Sequence, residues 1–279
     1  MQEETLYLGL LLGASAAICL NLGKGIQKMK VKVLGQGRAM FRPPHRRDFV
    51  IWVLGALTSL SATILYSLAL KYTDKSSLVS SMNGVGLIAL VFFAWLVLKE
   101  PMGIREWLGA GLVVAGTTAM SYLDQPLPAG QSYVLSRFLT LVAILIAVFL
   151  PLVLLALKVV RLHGLVFGAL VGTIIGVAMI LGDMALVKSQ GDFLGQLQNP
   201  YSYAAIFCGG SALTLTQVAF WRASALSVVP TINSFMILIP VLMEYFTFGT
   251  VLQPVQYLAV LVIVLGVVLI TTSSRQEFA

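Results

Sequence analysis

The sequence predicts an all-α polytopic membrane protein of nine transmembrane helices, built as two inverted four-helix repeats joined by an unpaired fifth helix. Three observations lead there. Hydrophobic residues make up 58% of the 279 residues and charged residues only 10%, with a mean hydropathy of +0.94. A soluble domain of this size needs more charge on its surface, whereas lipid solvates an apolar one. Nine stretches reach the about 20 apolar residues that a spanning helix requires. The chain also repeats itself across an odd number of those stretches.

The nine spans cover residues 6–26, 49–70, 76–98, 104–122, 136–157, 164–187, 202–221, 227–248 and 254–273. The first charges are Glu3 and Glu4 rather than a basic run, so the first span reads as a retained helix, not a signal peptide. On it, Ala14, Ala17, Asn21 and Lys24 share one face. A long basic connection, Gln27 to Asp48, leads to span 2. Lys71 to Lys75 is too short for a fold of its own and makes spans 2 and 3 a helical hairpin. Span 3 carries Ser80 and Asn83, and span 4 carries Trp107 and Gly116. Span 5 has no partner in the repeat. Span 6 aligns Gly172, Gly176 and Asp183, with Gly164 and Gly168 extending a small-residue stripe suited to close helix packing or to a permeation path. After Lys188 to Tyr201, span 7 carries Thr214 and Gln217 on one face. Arg222 to Leu226 turns directly into span 8, where Asn233, Ile237, Pro240 and Glu244 share a face. Pro240 frees the Met236 carbonyl, which makes it a hinge, a packing kink or an oxygen donor.

Residues Thr58–Ser121 lie on Cys208–Thr271 without a gap, pairing Asn83 with Asn233, Trp107 with Tyr257 and Gly116 with Gly266. Span 1 aligns with span 6 at a different offset, pairing Gly13 with Gly172, Gly23 with Gly182 and Lys24 with Asp183. Five spans separate equivalent points, so the second copy is threaded upside down. That is the architecture of alternating-access transporters. The organisation is residues 1–122 as the first repeat, 123–163 as a linker with the fifth helix, and 164–279 as the inverted repeat.

The net charge of +7 is a topology signal. Lys28, Lys30, Lys32, Arg38, Arg42, Arg46, Arg47, Lys99, Arg105, Lys158, Arg161, Arg222 and Arg275 fall on one side, and only Lys71, Lys75, Arg137 and Lys188 on the other. The basic side is expected to be cytoplasmic in a plasma (inner) membrane, with the N-terminus outside and the C-terminus inside. The lipid bilayer is the main partner, nucleic acid is not one, and a homodimer is admitted. Cys19 and Cys208 sit in spans and carry no redox signal. His45 and His163 are placed in loops. With no HExxH, no phosphate-binding glycine loop and no histidine in a span to serve as base, an enzyme is not expected, nor is a cofactor.

A charge near the bilayer centre costs about 2.5–3.5 kcal/mol on insertion scales, so intramembrane polar groups need a reason. The candidate substrate or gating residues are Asn21, Lys24, Ser80, Asn83, Asp183, Gln217, Asn233 and Glu244, with Pro240 as the hinge. Lys24 either snorkels to the interface or contacts substrate. Asp183 and Glu244 form the candidate metal site, since two carboxylates and an amide suit a hard cation. They equally suit proton coupling or simple exposure to interfacial water.

Tyr7-Leu-Gly-Leu, the tryptophan in span 2, Leu78-Val-Ser-Ser-Met-Asn-Gly84, Lys99-Glu100, Asn199-Pro200, Thr216-Gln217, Arg222 and Val229-Pro230 together resemble the drug/metabolite transporter superfamily. The chain is similar to its EamA-like members and most to the NIPA-type magnesium transporter branch. The resemblance implies a transporter and Mg²⁺ as one substrate. Ser81 stands where that branch usually has proline, and Asp183 and Glu244 have no obvious equivalents there, so the resemblance supplies no metal ligand. The alternatives are carriage of a small organic metabolite or drug and, in another class, a non-transporting scaffold or receptor.

Overall fold

The computed structural model describes residues 2–72, 82–123, 132–189, 195, 198–249 and 253–273. Among them are nine α-helices and no strand. The helices are α1 (Gln2–Lys30), α2 (Arg46–Tyr72), α3 (Asn83–Leu96), α4 (Ile104–Leu123), α5 (Leu135–Lys158), α6 (Val160–Lys188), α7 (Pro200–Arg222), α8 (Ala225–Phe248) and α9 (Pro254–Ser273). A 3₁₀ segment, Val31–Phe41, follows α1. Each helix falls on one expected span. Six of them, α1, α2, α5, α6, α7 and α8, are long and apolar enough to cross a membrane, and α3 and α9 contain shorter apolar stretches.

The outward faces explain the hydropathy. Leu139, Ile144, Ile146, Val148, Leu150 and Leu154 of α5 are exposed, as are Ile206 and Phe207 of α7 and Leu258, Leu261 and Val268 of α9. Such a surface is stable only in lipid. The interior is a seam of Leu87 and Leu90 (α3), Val113 (α4), Val171 (α6), Phe220 (α7) and Ile232 (α8).

Helix ends are set locally. Pro200 opens α7, and the Asn199 side chain accepts from the Tyr201 N–H. Ser224 caps α8 at the Ser227 N–H, and α8 ends at Gly249 in a left-handed conformation. Two boundaries differ from expectation. The α1 helix runs to Lys30, because Lys28 and Lys30 in the last turn complement the helix dipole, so Gln27 is helical. The α6 helix starts at Val160, so His163 is a buried helical residue rather than a loop residue. Its Nε2 lies 3.0 Å from the Val218 carbonyl and its ring packs on Phe167.

The packing has a regular plan. The α1 helix packs on α2 and α3, and α6 packs on α7 and α8. The α6 and α8 helices run parallel: Gly164 abuts Ser227, Gly168 abuts Thr231, Gly172 abuts Phe235 and Gly176 abuts Pro240. The glycine stripe therefore serves close packing, and Pro240 is buried against it. The α4 and α9 helices pair across the middle. A Cβ on Gly116 would stand 2.6 Å from Ile263, and one on Gly266 would stand 2.8 Å from Val113. Residues 116 and 263 become 266 and 113 when each is exchanged for its sequence equivalent.

One end of the bundle gathers the 3₁₀ segment, the C-terminal ends of α1, α3 and α7, and the starts of α6 and α8. Gly35 rests on Trp221, Gly164 on Ala223, and Glu100 on the first turn of α8. The opposite end joins Val134 to the Thr247 carbonyl, Gln256 to the Leu123 carbonyl and Tyr133 to Tyr201. Hydrogen bonding to Tyr201 and burial push the Tyr133 phenol up to about 12.

Candidate functional site

The α1 helix presents Asn21, Lys24, Gln27 and Lys28 along one face, spaced three, three and one residues apart. That face meets α7 and α8. Asn21, Gln27, Gln217 and Asn233 are all buried, so each amide must find a partner. The Asn233 Nδ2 donates to Asn21 Oδ1 at 3.1 Å, and Asn21 Nδ2 donates to the Ala17 carbonyl at 3.0 Å. The Lys24 ammonium donates to Asn233 Oδ1 at 3.5 Å. One turn further, Gln217 Nε2 donates to Gln27 Oε1 at 2.6 Å, Gln27 donates to Ser59 Oγ at 3.2 Å, and the Trp52 indole donates to Gln217 Oε1 at 3.0 Å.

A charged latch closes the seam at the 3₁₀ end. Lys28 donates to the Phe220 carbonyl at 2.6 Å. The Glu100 carboxylate accepts the Ala225 N–H at 2.7 Å and the Leu226 N–H at 3.0 Å, two of the orphan donors of α8. Lys99 directs it there by taking a left-handed backbone (φ 55), after which the Glu100 N–H returns to the Ala94 carbonyl. Burial raises the Glu100 carboxyl above its ordinary range, while the Leu226 and Ala225 N–H groups and Lys28 pull it back down.

Depth decides between the two readings of Lys24. Its partner Asn233 is eight residues into α8, about 12 Å from the helix start at 1.5 Å per residue. A snorkelling lysine would reach toward the helix end instead, so Lys24 points into the seam between the two halves. Asn21, Lys24, Gln217 and Asn233 are thus brought together. Asn83 is half-buried at the start of α3, away from this cluster in sequence and paired with Asn233 only through the repeat. Asp183 and Glu244 are half-buried on the parallel helices α6 and α8, toward the end opposite the 3₁₀ segment. No group of three or more His, Cys, Asp or Glu side chains able to hold a metal ion occurs among the described residues. Ser80 lies outside the described residues.

Sequence reasoning missed Gln27, Ser59, Trp52, Lys28 and Glu100. Gln27 continues the Asn21–Lys24 spacing and was hidden by its basic neighbours. Glu100 carries no sequence signal for its role, because the turn at Lys99 aims it at a helix 125 residues away.

The arrangement is that of a polytopic helical protein with a polar, charge-bearing seam between two packed halves. The seam joins helices distant in sequence and carries both charge and hydrogen-bonding groups. Residues 5–122, which span α1 to α4, match the EamA-like transporter family. The likeness of this first part of the chain is to a family of membrane transporters. No curated protein and no solved structure matches the chain.

Proposed function

We propose that this protein is an alternating-access carrier of a small polar solute, its two four-helix segments rocking against each other across the α1–α8 seam. Residues 1–122 and 164–279 are the rocking units and residues 123–163, with α5, connect them. The observation that carries this reading is an asymmetry. The α1 helix packs on α7 and α8, while among the described residues α6, its repeat equivalent, makes no comparable approach to α2 or α3. A pair of repeats whose described residues bring α1 against α7 and α8 without the reciprocal approach of α6 is one of two exchangeable states. The reciprocal contacts Gly116–Ile263 and Gly266–Val113 support an inverted repeat with its axis between α4 and α9. The sealed end carries most of the Lys and Arg, which makes it the cytoplasmic end. Carriage rather than catalysis fits a seam of amides and one ammonium.

The test is a cross-link. Cysteines at Gln27 and Gln217, whose side chains touch, joined by a short thiol reagent should stop solute entry into proteoliposomes that the unmodified protein supports. The assay follows trapped-indicator Mg²⁺ and labelled carboxylates, amines and sugars in parallel. Continued entry after complete cross-linking would refute rocking at this seam.

A second reading, carriage of Mg²⁺ or another divalent cation, draws on Asp183 and Glu244 sharing one end of two parallel helices. Under it, Asp183→Asn and Glu244→Gln reduce Mg²⁺ entry while expression is retained. Unchanged entry in both removes that reading.

A further inference from the structure

We propose that Lys24, with Asn233 and Asn21, is the docking site for the carboxylate group of a small organic anion. The proposal rests on the carrier reading above and names its substrate class.

Donor and acceptor arithmetic carries it. Lys24 has three N–H donors, and its one hydrogen-bond partner among the described residues is the neutral Asn233 oxygen at 3.5 Å, a long contact. Asn233 uses one amide N–H on Asn21, and Asn21 is tied to Ala17. Two N–H bonds on Lys24 and one on Asn233 therefore converge without an acceptor among these side chains. Among the described residues no carboxylate lies within ion-pair distance of Lys24, whereas Lys30, nearer the end of α1, is paired with Asp48. A lysine placed for structure alone would face a fixed carboxylate at this depth, and α8 offers Asn233 instead.

The ligand that completes such a site is acceptor-only and negatively charged. A carboxylate meets both conditions, with two oxygens for three donors. A divalent cation does not, since it needs oxygen acceptors and would face the ammonium. A doubly charged phosphate would need a second fixed cation. The next lysine on this face, Lys28, is committed to the Phe220 carbonyl, with Glu100 as its electrostatic neighbour. The position suits a carried solute, because Lys24 belongs to the first half and Asn233 to the second. An anion held by both would couple its own binding to the closure of the seam.

The test uses the full-length protein, purified and reconstituted. Acetate, lactate, succinate and benzoate are compared with glycerol 3-phosphate, choline, putrescine and MgCl₂, by thermal stabilisation and by entry into proteoliposomes. At least one carboxylate is expected to stabilise and enter saturably, and Lys24→Gln to weaken it by about tenfold or more, as for loss of a charged hydrogen-bonding partner. A second variant guards against misfolding. Asn233→Asp places a carboxylate on Lys24 from within, at the cost of the hydrogen bond to Asn21, so it should abolish the carboxylate response while the purified protein stays folded and monodisperse. The proposal is overturned if no carboxylate binds, if phosphate, amine or Mg²⁺ is preferred, or if Lys24→Gln leaves carboxylate binding unchanged. Entry of another solute that ignores Lys24 leaves the carrier reading standing. No entry of any solute removes that reading as well.

Discussion

The Glu100 latch gives the sharpest test of the sealed end. Glu100→Ala removes the acceptor for two backbone N–H groups, on Ala225 and Leu226, both of which are buried. Loss of a helix cap costs about 0.5–2 kcal/mol, and hydrogen bonds to charged groups contribute about 1.5–3 kcal/mol each, offset by relief of the buried carboxylate. A net loss of about 2 kcal/mol for the sealed state corresponds to about a 30-fold shift toward an opened one. The assay is thiol labelling of a cysteine at Val31, a buried residue of the seam, with Cys19 and Cys208 replaced by alanine. The labelling rate from the 3₁₀ side should rise by about that factor if sealed and open forms exchange faster than they are labelled. A rate unchanged within about twofold would refute the latch, because a latch that bears on the equilibrium must move it when removed.

Three further outcomes follow from the same geometry. Glu100 is raised by burial in the sealed state and returns to its ordinary range if opening exposes it, so sealing takes up a proton. This contribution favours the sealed state below the ordinary carboxylate range and is lost as pH rises through the raised value; labelling of a cysteine at Val31, taken at each pH relative to a fully exposed cysteine because the thiolate is the reactive form, should quicken over that rise, and Glu100→Gln should remove this relative pH dependence. Gly86→Ala would drive a Cβ into the Ala17 carbonyl and to 2.6 Å from the Asn21 amide, so it should lower stability by about 1–3 kcal/mol, read by thermal denaturation. The repeat maps Lys24 and Asn233 onto Asp183 and Asn83, so cysteines at positions 83 and 183 should cross-link more readily when Glu100→Ala unseals the first end. Cross-linking that ignores Glu100→Ala would break the link between the two ends.

Much of the fold was legible because its causes are local or periodic. Nine apolar runs correspond to the nine helices among the described residues, and the paired Gly116 and Gly266 marked the α4–α9 crossing. The helix faces Asn21–Lys24 and Gln217 were visible as spacings of three and four. His163 was misplaced because charged flanks at Lys158 and Arg161 imitate a loop, although the break itself is confined to Val159. Gln27 was lost for the same reason at the end of α1.

The sequence by itself determined the membrane class, the helices and the identity of the polar groups, since hydropathy and period are properties of short segments. Only the tertiary structure decided that Lys24 meets Asn233 across 209 residues, that Glu100 caps α8, and that one end of the bundle is sealed. Those contacts depend on how two halves tilt against each other. Contacts between segments so far apart in the chain leave no local pattern, so they are written in the packing alone.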